Sequence, residues 1–180
     1  KLQKYFSDGD WLVKIKNMKD DAGNTFTYTV AGKGNDLFSR YEYGKNNVAK
    51  YLYLDKKEKV YVIDDSAKKY AVLSDEQAYY MANSMYTVSE ILKVQNVGTV
   101  TAKTAYYNGK TAVAETYKDK VYGFKKTYYF VNDKVTGIKV EYQDGSTEEY
   151  KSFSVADTPK SSFFKLPSNY KKVKKFIFFA

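Results

Sequence analysis

The chain has 180 residues, with 30 Lys and Arg against 21 Asp and Glu, a formal charge of +9, 20 Tyr, 11 Phe, no Cys and no His. Without Cys there is neither a disulfide framework nor a thiolate nucleophile, and cysteine usage says nothing about compartment. Without His, Ser-His-Asp and Cys-His catalysis and the usual zinc sites are excluded, so an enzyme would have to work with carboxylates, Lys or Tyr; the composition favours a non-enzymatic protein.

The length suits one domain spanning residues 1–180 with a sizeable core. Lys1 to Phe6 reads as the end of a helix, before the turn Ser7-Asp8-Gly9-Asp10. Trp11 to Met18 alternates as a strand, Asp20-Asp21-Ala22-Gly23-Asn24 turns the chain, and Thr25 to Ala31 returns. Leu37 to Tyr43, Val48 to Leu54, Lys59 to Ile63 and Lys69 to Leu73 follow as strands. Their connections are of hairpin length, which predicts an antiparallel meander.

Ser74 to Leu92 is the one convincing long helix. Ser74 with Gln77 is a capping-box pattern, and Asp75 and Glu76 place negative charge at the positive end of the macrodipole. Ala78, Met81, Met85, Val88 and Leu92 draw one apolar stripe, which Tyr79, Ala82 and Tyr86 widen. One amphipathic helix among many strands is expected to cover a sheet face.

The meander then resumes. Val97 to Tyr107 and Thr111 to Lys118 flank Asn108-Gly109, a strong hairpin dipeptide, and Val121 to Val131 and Val135 to Tyr142 flank Asn132-Asp133-Lys134. Asp144-Gly145 leads to a last long strand, Thr147 to Val155. The expected fold class is α+β and mostly antiparallel β: a strongly curved sheet or incomplete barrel of about ten strands, with the helix on its concave face. The closing segment, residues 157–180, is basic and aromatic. Phe163 to Pro167 reads as extended, and Tyr170 to Ala180 reads either as a final edge strand or as a membrane-surface contact through Phe176 to Phe179.

Arg40 is the single arginine among the 30 basic residues. Sequence-reading nucleic-acid proteins lean on arginine, so no nucleic-acid partner is expected, although Tyr-rich strands with Lys are the material of single-strand platforms. Lysine along alternating strand positions reads first as a solvated face and edge protection, and second as attraction to an anionic membrane surface or wall polymer. No apolar run of about 18 residues is present. No signal peptide is visible, and the start at Lys1 is what a trimmed mature chain would show.

Other constellations are weaker. Asp8-Gly9-Asp10 and the Asp20 to Asn24 stretch lack the spacing of a calcium loop and read as turns; no metal or cofactor is expected. Glu115, Glu141, Glu148 and Glu149 contain no recognisable glycosidase pair, and neighbours Glu148 and Glu149 face opposite sides of a strand. Gly32-Lys33-Gly34 opens no helix and is not a phosphate loop. A hydrophobic ligand site has the best physical support: Met81 and Met85 on the helix stripe, Tyr51 and Tyr53 on one strand face, and Tyr122, Phe124, Tyr128 and Phe130 along another. The plainer reading of each of these residues is core.

Lys50 to Asp55 (KYLYLD) and Lys59 to Asp64 (KVYVID), with the closing Phe164 to Val173 (FKLPSNYKKV), resemble elements of the lipoprotein-carrier superfamily (LolA-like, with relatives among bacterial envelope lipoproteins). As an order of elements the resemblance covers most of the chain, though its motifs are short. It implies an incomplete antiparallel barrel lidded by helices, a lipid or acylated ligand held between lid and sheet, and an extracytoplasmic location at the cell surface or envelope. The family's longer N-terminal helix is missing or reduced to Lys1 to Phe6, which bears on whether a cavity is fully enclosed. The expectation is therefore a monomeric, non-enzymatic binding protein for a hydrophobic or acyl-bearing ligand, lined by Tyr51, Tyr53, Met81, Met85, Tyr128 and Phe130. The alternative is an envelope interaction module with a solid core that binds another protein or wall polymer.

Overall fold

A computed structural model of the protein describes residues 10–45, 47–92, 97–156 and 158–174. The expected helix end at Lys1 to Phe6 and the Phe176 to Phe179 tail lie outside these residues. Six strands come first: β1 (Asp10–Lys19), β2 (Thr25–Lys33), β3 (Asp36–Tyr43), β4 (Asn47–Leu54), β5 (Lys59–Asp64) and β6 (Lys69–Val72). The helix α1 (Asp75–Leu92) follows, then β7 (Val97–Tyr107), β8 (Lys110–Asp119), β9 (Lys125–Val131), β10 (Lys134–Glu141), β11 (Thr147–Tyr150), β12 (Phe153–Ala156) and β13 (Lys171–Lys172). They form an eight-stranded sheet, β12-β1-β2-β3-β4-β5-β6-β13, and a five-stranded sheet, β11-β10-β9-β8-β7. The described pairings do not close into a barrel, and all are antiparallel except β13 with β6. The mostly antiparallel α+β class read from the sequence is the one observed.

Local chemistry explains the hairpins. Asn108 and Gly109 both take positive φ (49° and 76°), as do Asn132 and Asp133 (49° and 61°), the backbone that two-residue turns between twisted strands require.

Three sequence expectations need correcting. The strand expected from Thr147 to Val155 is two strands in different sheets: β11 pairs with β10, and β12 pairs with β1. At the crossing, the Lys16 amide donates to the Ser152 carbonyl at 2.9 Å. Val121 to Phe124 is a turn rather than the start of β9, because Asp119 Oδ1 accepts from the amides of Val121 (2.8 Å) and Tyr122 (2.7 Å). A side chain that offers the backbone such an alternative competes with the ladder. The Phe163 to Pro167 stretch, expected extended, begins inside a 3-10 turn, Ser161–Phe164. The reading of the tail as a final edge strand is met at Lys171–Lys172, on the edge of β6.

Two apolar layers hold the fold. The first lies between the sheets, joining Val13, Ile15, Phe26, Tyr28 and Val30 of one to Tyr128, Phe130, Ile138 and Val140 of the other, with Met85 of α1 among them. The second covers the opposite face of the eight-stranded sheet. There Ala31, Phe38, Leu52, Tyr61 and Ile63 meet Phe163, Phe164, Leu166 and Tyr170 of the closing segment, with Phe38 stacked on Phe163 at 4.5 Å and 17°. The eight-stranded sheet therefore carries apolar residues at both parities of its central strands, as a sheet covered on both sides must.

Candidate ligand-binding face

The helix starts where its cap is built. The Gln77 amide donates to Ser74 Oγ and the Ser74 amide to Gln77 Oε1, both at 3.4 Å, which is the reciprocal arrangement of a capping box. From that start α1 packs against β2, β3 and β5 on the concave face of the larger sheet. Met85 is fully buried, while Ala78, Met81 and Ala82 are half-buried against the same layer. The side chains of Tyr86, Val88 and Leu92, expected on the stripe, lie outside the described residues. Tyr79 was expected to widen this stripe but is 65% exposed, with Tyr80 beside it at 65%. The stripe is narrower than the sequence suggests, because Tyr79 sits a full residue step, about 100°, around the helix from Ala78. A hydrogen bond between Tyr41 Oη and Ser84 Oγ (3.2 Å) ties α1 to β3.

Opposite the helix lies a row of aromatic rings. Inward positions recur every second residue, and the register sets Tyr28 against Tyr41. Tyr28 and Tyr41 are 4.6 Å apart between ring centres, Phe26 and Tyr43 5.1 Å, and Tyr41 meets Tyr51 edge-on at 5.9 Å and 89°. Such pairs add about 0.5–1.5 kcal/mol each beyond their buried area. The Tyr28 hydroxyl is buried with no hydrogen-bond partner among the described residues. Burial, with the Tyr41 phenol beside it, pushes the Tyr28 phenol well above its ordinary value. Tyr51 is raised chiefly by burial, and so is Tyr128. Tyr28, Tyr51 and Tyr128 are therefore neutral across the physiological range and present rings and hydroxyls to the face. At its open end, beside Tyr43, is a depression of ≈ 560 Å³ that Asp20, Asn24, Thr25 and Asn47 also line.

The structure brings the six expected lining residues into one layer. Met85, Tyr128 and Phe130 are 0, 0 and 2% exposed and fill the space between the sheets; Tyr51, Tyr53 and Met81 pack against them from its margin. Tyr53 Oη leans toward Asp55 Oδ1 at 3.3 Å. Tyr122 and Phe124 do not join: both lie before β9, stacked on each other at 6.2 Å, with Tyr122 65% exposed. Phe26, Tyr28, Tyr41 and Tyr43 belong to the face and were not singled out from the sequence. The signal was present, because Phe26-x-Tyr28 and Tyr41-x-Tyr43 repeat the spacing of Tyr51-x-Tyr53. The smaller sheet contributes an inward carboxylate, Glu115, which is 8% exposed and accepts from Tyr117 Oη at 2.9 Å. The Asp20 to Asn24 stretch is the turn its composition suggests, with both Asp20 carboxylate oxygens accepting from Asn24 (2.8 and 3.0 Å).

No family model and no curated protein matches the chain. Among solved structures, an uncharacterized conserved protein from Thermus thermophilus aligns with a TM-score of 0.44 and 6% identity, over 97% of this chain and 94% of that one. A putative outer membrane lipoprotein-sorting protein domain from Vibrio parahaemolyticus aligns with a TM-score of 0.28 and 11% identity, over 77% of this chain and 66% of that one. Neither likeness is close enough to carry an assignment.

Proposed function

We propose that this protein is a non-enzymatic, extracytoplasmic binder of a hydrophobic or acyl-bearing ligand, of the lipoprotein-carrier type, and that the ligand enters between α1 and the aromatic row. The observation that supports it is the union of Tyr51, Tyr53, Met81, Met85, Tyr128 and Phe130 in one apolar layer beneath the helix. Tyr51, Tyr53 and Met81 are accessible from the margin of that layer. Methionine side chains repack at low cost, and a helix that packs through Ala78, Met81, Ala82 and Met85 can shift to admit a chain.

The test is native mass spectrometry of gently purified protein, followed by organic extraction. A stoichiometric lipid that is lost in Met81→Lys, while circular dichroism stays unchanged, supports the reading. A clean apo mass with no uptake of added fatty acid or lipopeptide overturns it. Met81 is chosen because it is half-buried; lysine at fully buried Met85 would unfold the protein before it reported on binding.

A second reading, an interaction module with a solid core, draws on the exposed rings Tyr79, Tyr80, Tyr106 and Tyr122, which are 65, 65, 78 and 65% accessible.

A further inference from the structure

The two sheets end differently. The eight-stranded sheet is flanked by β12 and β13, strands of four and two residues, whereas the five-stranded sheet ends on β7, which runs for 11 residues. Among the described residues β7 is bonded on one side only, to β8. Its sequence, VGTVTAKTAYY, has one charge, no proline and no acid. Exposed edges are normally blunted by short length, proline or several charges. β7 uses none of these devices, and its backbone groups are a template for another strand.

The two faces of β7 say what that strand must be. On the side of the inner layer, Val100 and Tyr106 are 52 and 78% exposed, with Ala102 and Thr104 between them also exposed. On the other side Lys103 shares an open groove of ≈ 840 Å³ with Lys118 and Lys125. Lys118 and Lys125 stand directly opposite each other across β8 and β9, and Lys125 in turn stands opposite Glu141 of β10, so Lys103 and Lys118 are the groove's cations nearer the edge. The groove's acids, Glu141 and Glu149, are on β10 and β11, away from the edge. An added strand would therefore place one set of alternate side chains on Val100 and Tyr106 and the other beside Lys103 and Lys118.

We propose that the β7 edge accepts an extended segment of a partner protein in which apolar and acidic residues alternate, apolar toward Val100 and Tyr106 and acidic toward Lys103 and Lys118. Main-chain hydrogen bonds supply affinity in such strand addition, and the alternating side chains supply selectivity. A second copy is the poorer occupant, because two chains of net charge +9 repel and β7 offers no acid to a neighbour's lysine. The inference is independent of whether the face beneath α1 holds a ligand.

The experiment uses the full chain and dye-labelled peptides of about nine residues, an ordinary strand length. One alternates Glu with Val and Ile, and its counterpart alternates Lys with the same residues. Fluorescence anisotropy should show binding of the Glu peptide only. The double variant Lys103→Glu/Lys118→Glu, altered at exposed positions, should bind it roughly tenfold more weakly and gain affinity for the Lys peptide. Hydrogen exchange should show new protection between Val100 and Tyr107. No binding, equal affinity for both peptides, or protection elsewhere overturns the proposal. So does concentration-dependent self-association that the Glu peptide displaces, which would assign the edge to a second copy.

Discussion

The eight-stranded and five-stranded sheets both contribute to the inner layer and differ on their outer faces. Behind the larger sheet, Phe38, Leu52, Tyr61 and Ile63 are sealed by residues 158–174. Behind the smaller one, the corresponding positions carry Thr116, Lys118, Lys125 and Thr127, with Thr116 and Thr127 joined hydroxyl to hydroxyl at 2.9 Å. The large apolar surface described there is Tyr107 stacked on Tyr129 at 3.9 Å and 6°. Among the described residues, one sheet is thus covered twice and the other once. The difference lies in which residues occupy the second parity of each strand, since only an apolar face gains by recruiting a cover.

Alkali should break both sheets together. Tyr28 in the larger sheet and Tyr107, Tyr128 and Tyr150 in the smaller all have phenols raised by burial, Tyr107 to about 12. Their unfolded values are near ~10. The unfolded chain therefore loses these protons first, and the stabilisation is complete below pH ~10 and is lost as pH rises toward the folded values. Phenolate absorbance and far-ultraviolet circular dichroism followed upward from neutral pH should change in one shared transition above pH ~10. Separate transitions for the two sheets would show that the inner layer does not couple them.

The outer faces should respond unequally to substitution. Phe38→Ala, at a site 3% exposed and stacked on Phe163, is expected to cost about 3–5 kcal/mol in urea unfolding. Thr101→Ala on the exposed face should stay within about 0.5 kcal/mol. Comparable losses would mean that the smaller sheet is also covered.

The finest test concerns the stacked pair. Gly137 lies directly beneath the Tyr107 ring, so that a methyl group there would collide with Tyr107 Oη and its ring carbons. Gly137→Ala should displace the ring and cost about 1–3 kcal/mol, with a change in near-ultraviolet circular dichroism. An unchanged spectrum would show that the stack is not fixed.

Much of this was legible in the chain. The helix start was legible because Ser74 and Gln77 carry a local code, and the Asn108-Gly109 hairpin because its backbone admits few residues. The core stripe was legible at Met81 and Met85 but overextended at Tyr79, since periodicity alone does not say how wide a contact is. The outer layer was not anticipated, although LYL at 52–54 and VYVI at 60–63 show apolar residues at both parities. What seals it is a segment far along the chain, as the Tyr170 to Asp65 hydrogen bond, 105 positions apart, illustrates. The break between β11 and β12 was hidden because Lys151-Ser152 lacks the glycine, proline or asparagine that marks a strong turn; the partners, not the local residues, set it.

The pairing of β1 with β12 has a consequence for synthesis. Ser154 reaches back to the Lys14 carbonyl across 140 positions. Contacts that distant are slow to form, since the intervening chain must be ordered before they are rewarded. On the ribosome, at about 5–20 residues per second, β1 can zip to β2 within seconds of emerging. Its other side then waits for most of the chain to be made. During that interval the nascent protein displays an unsatisfied strand, and a chaperone that shields extended backbone would find its substrate there.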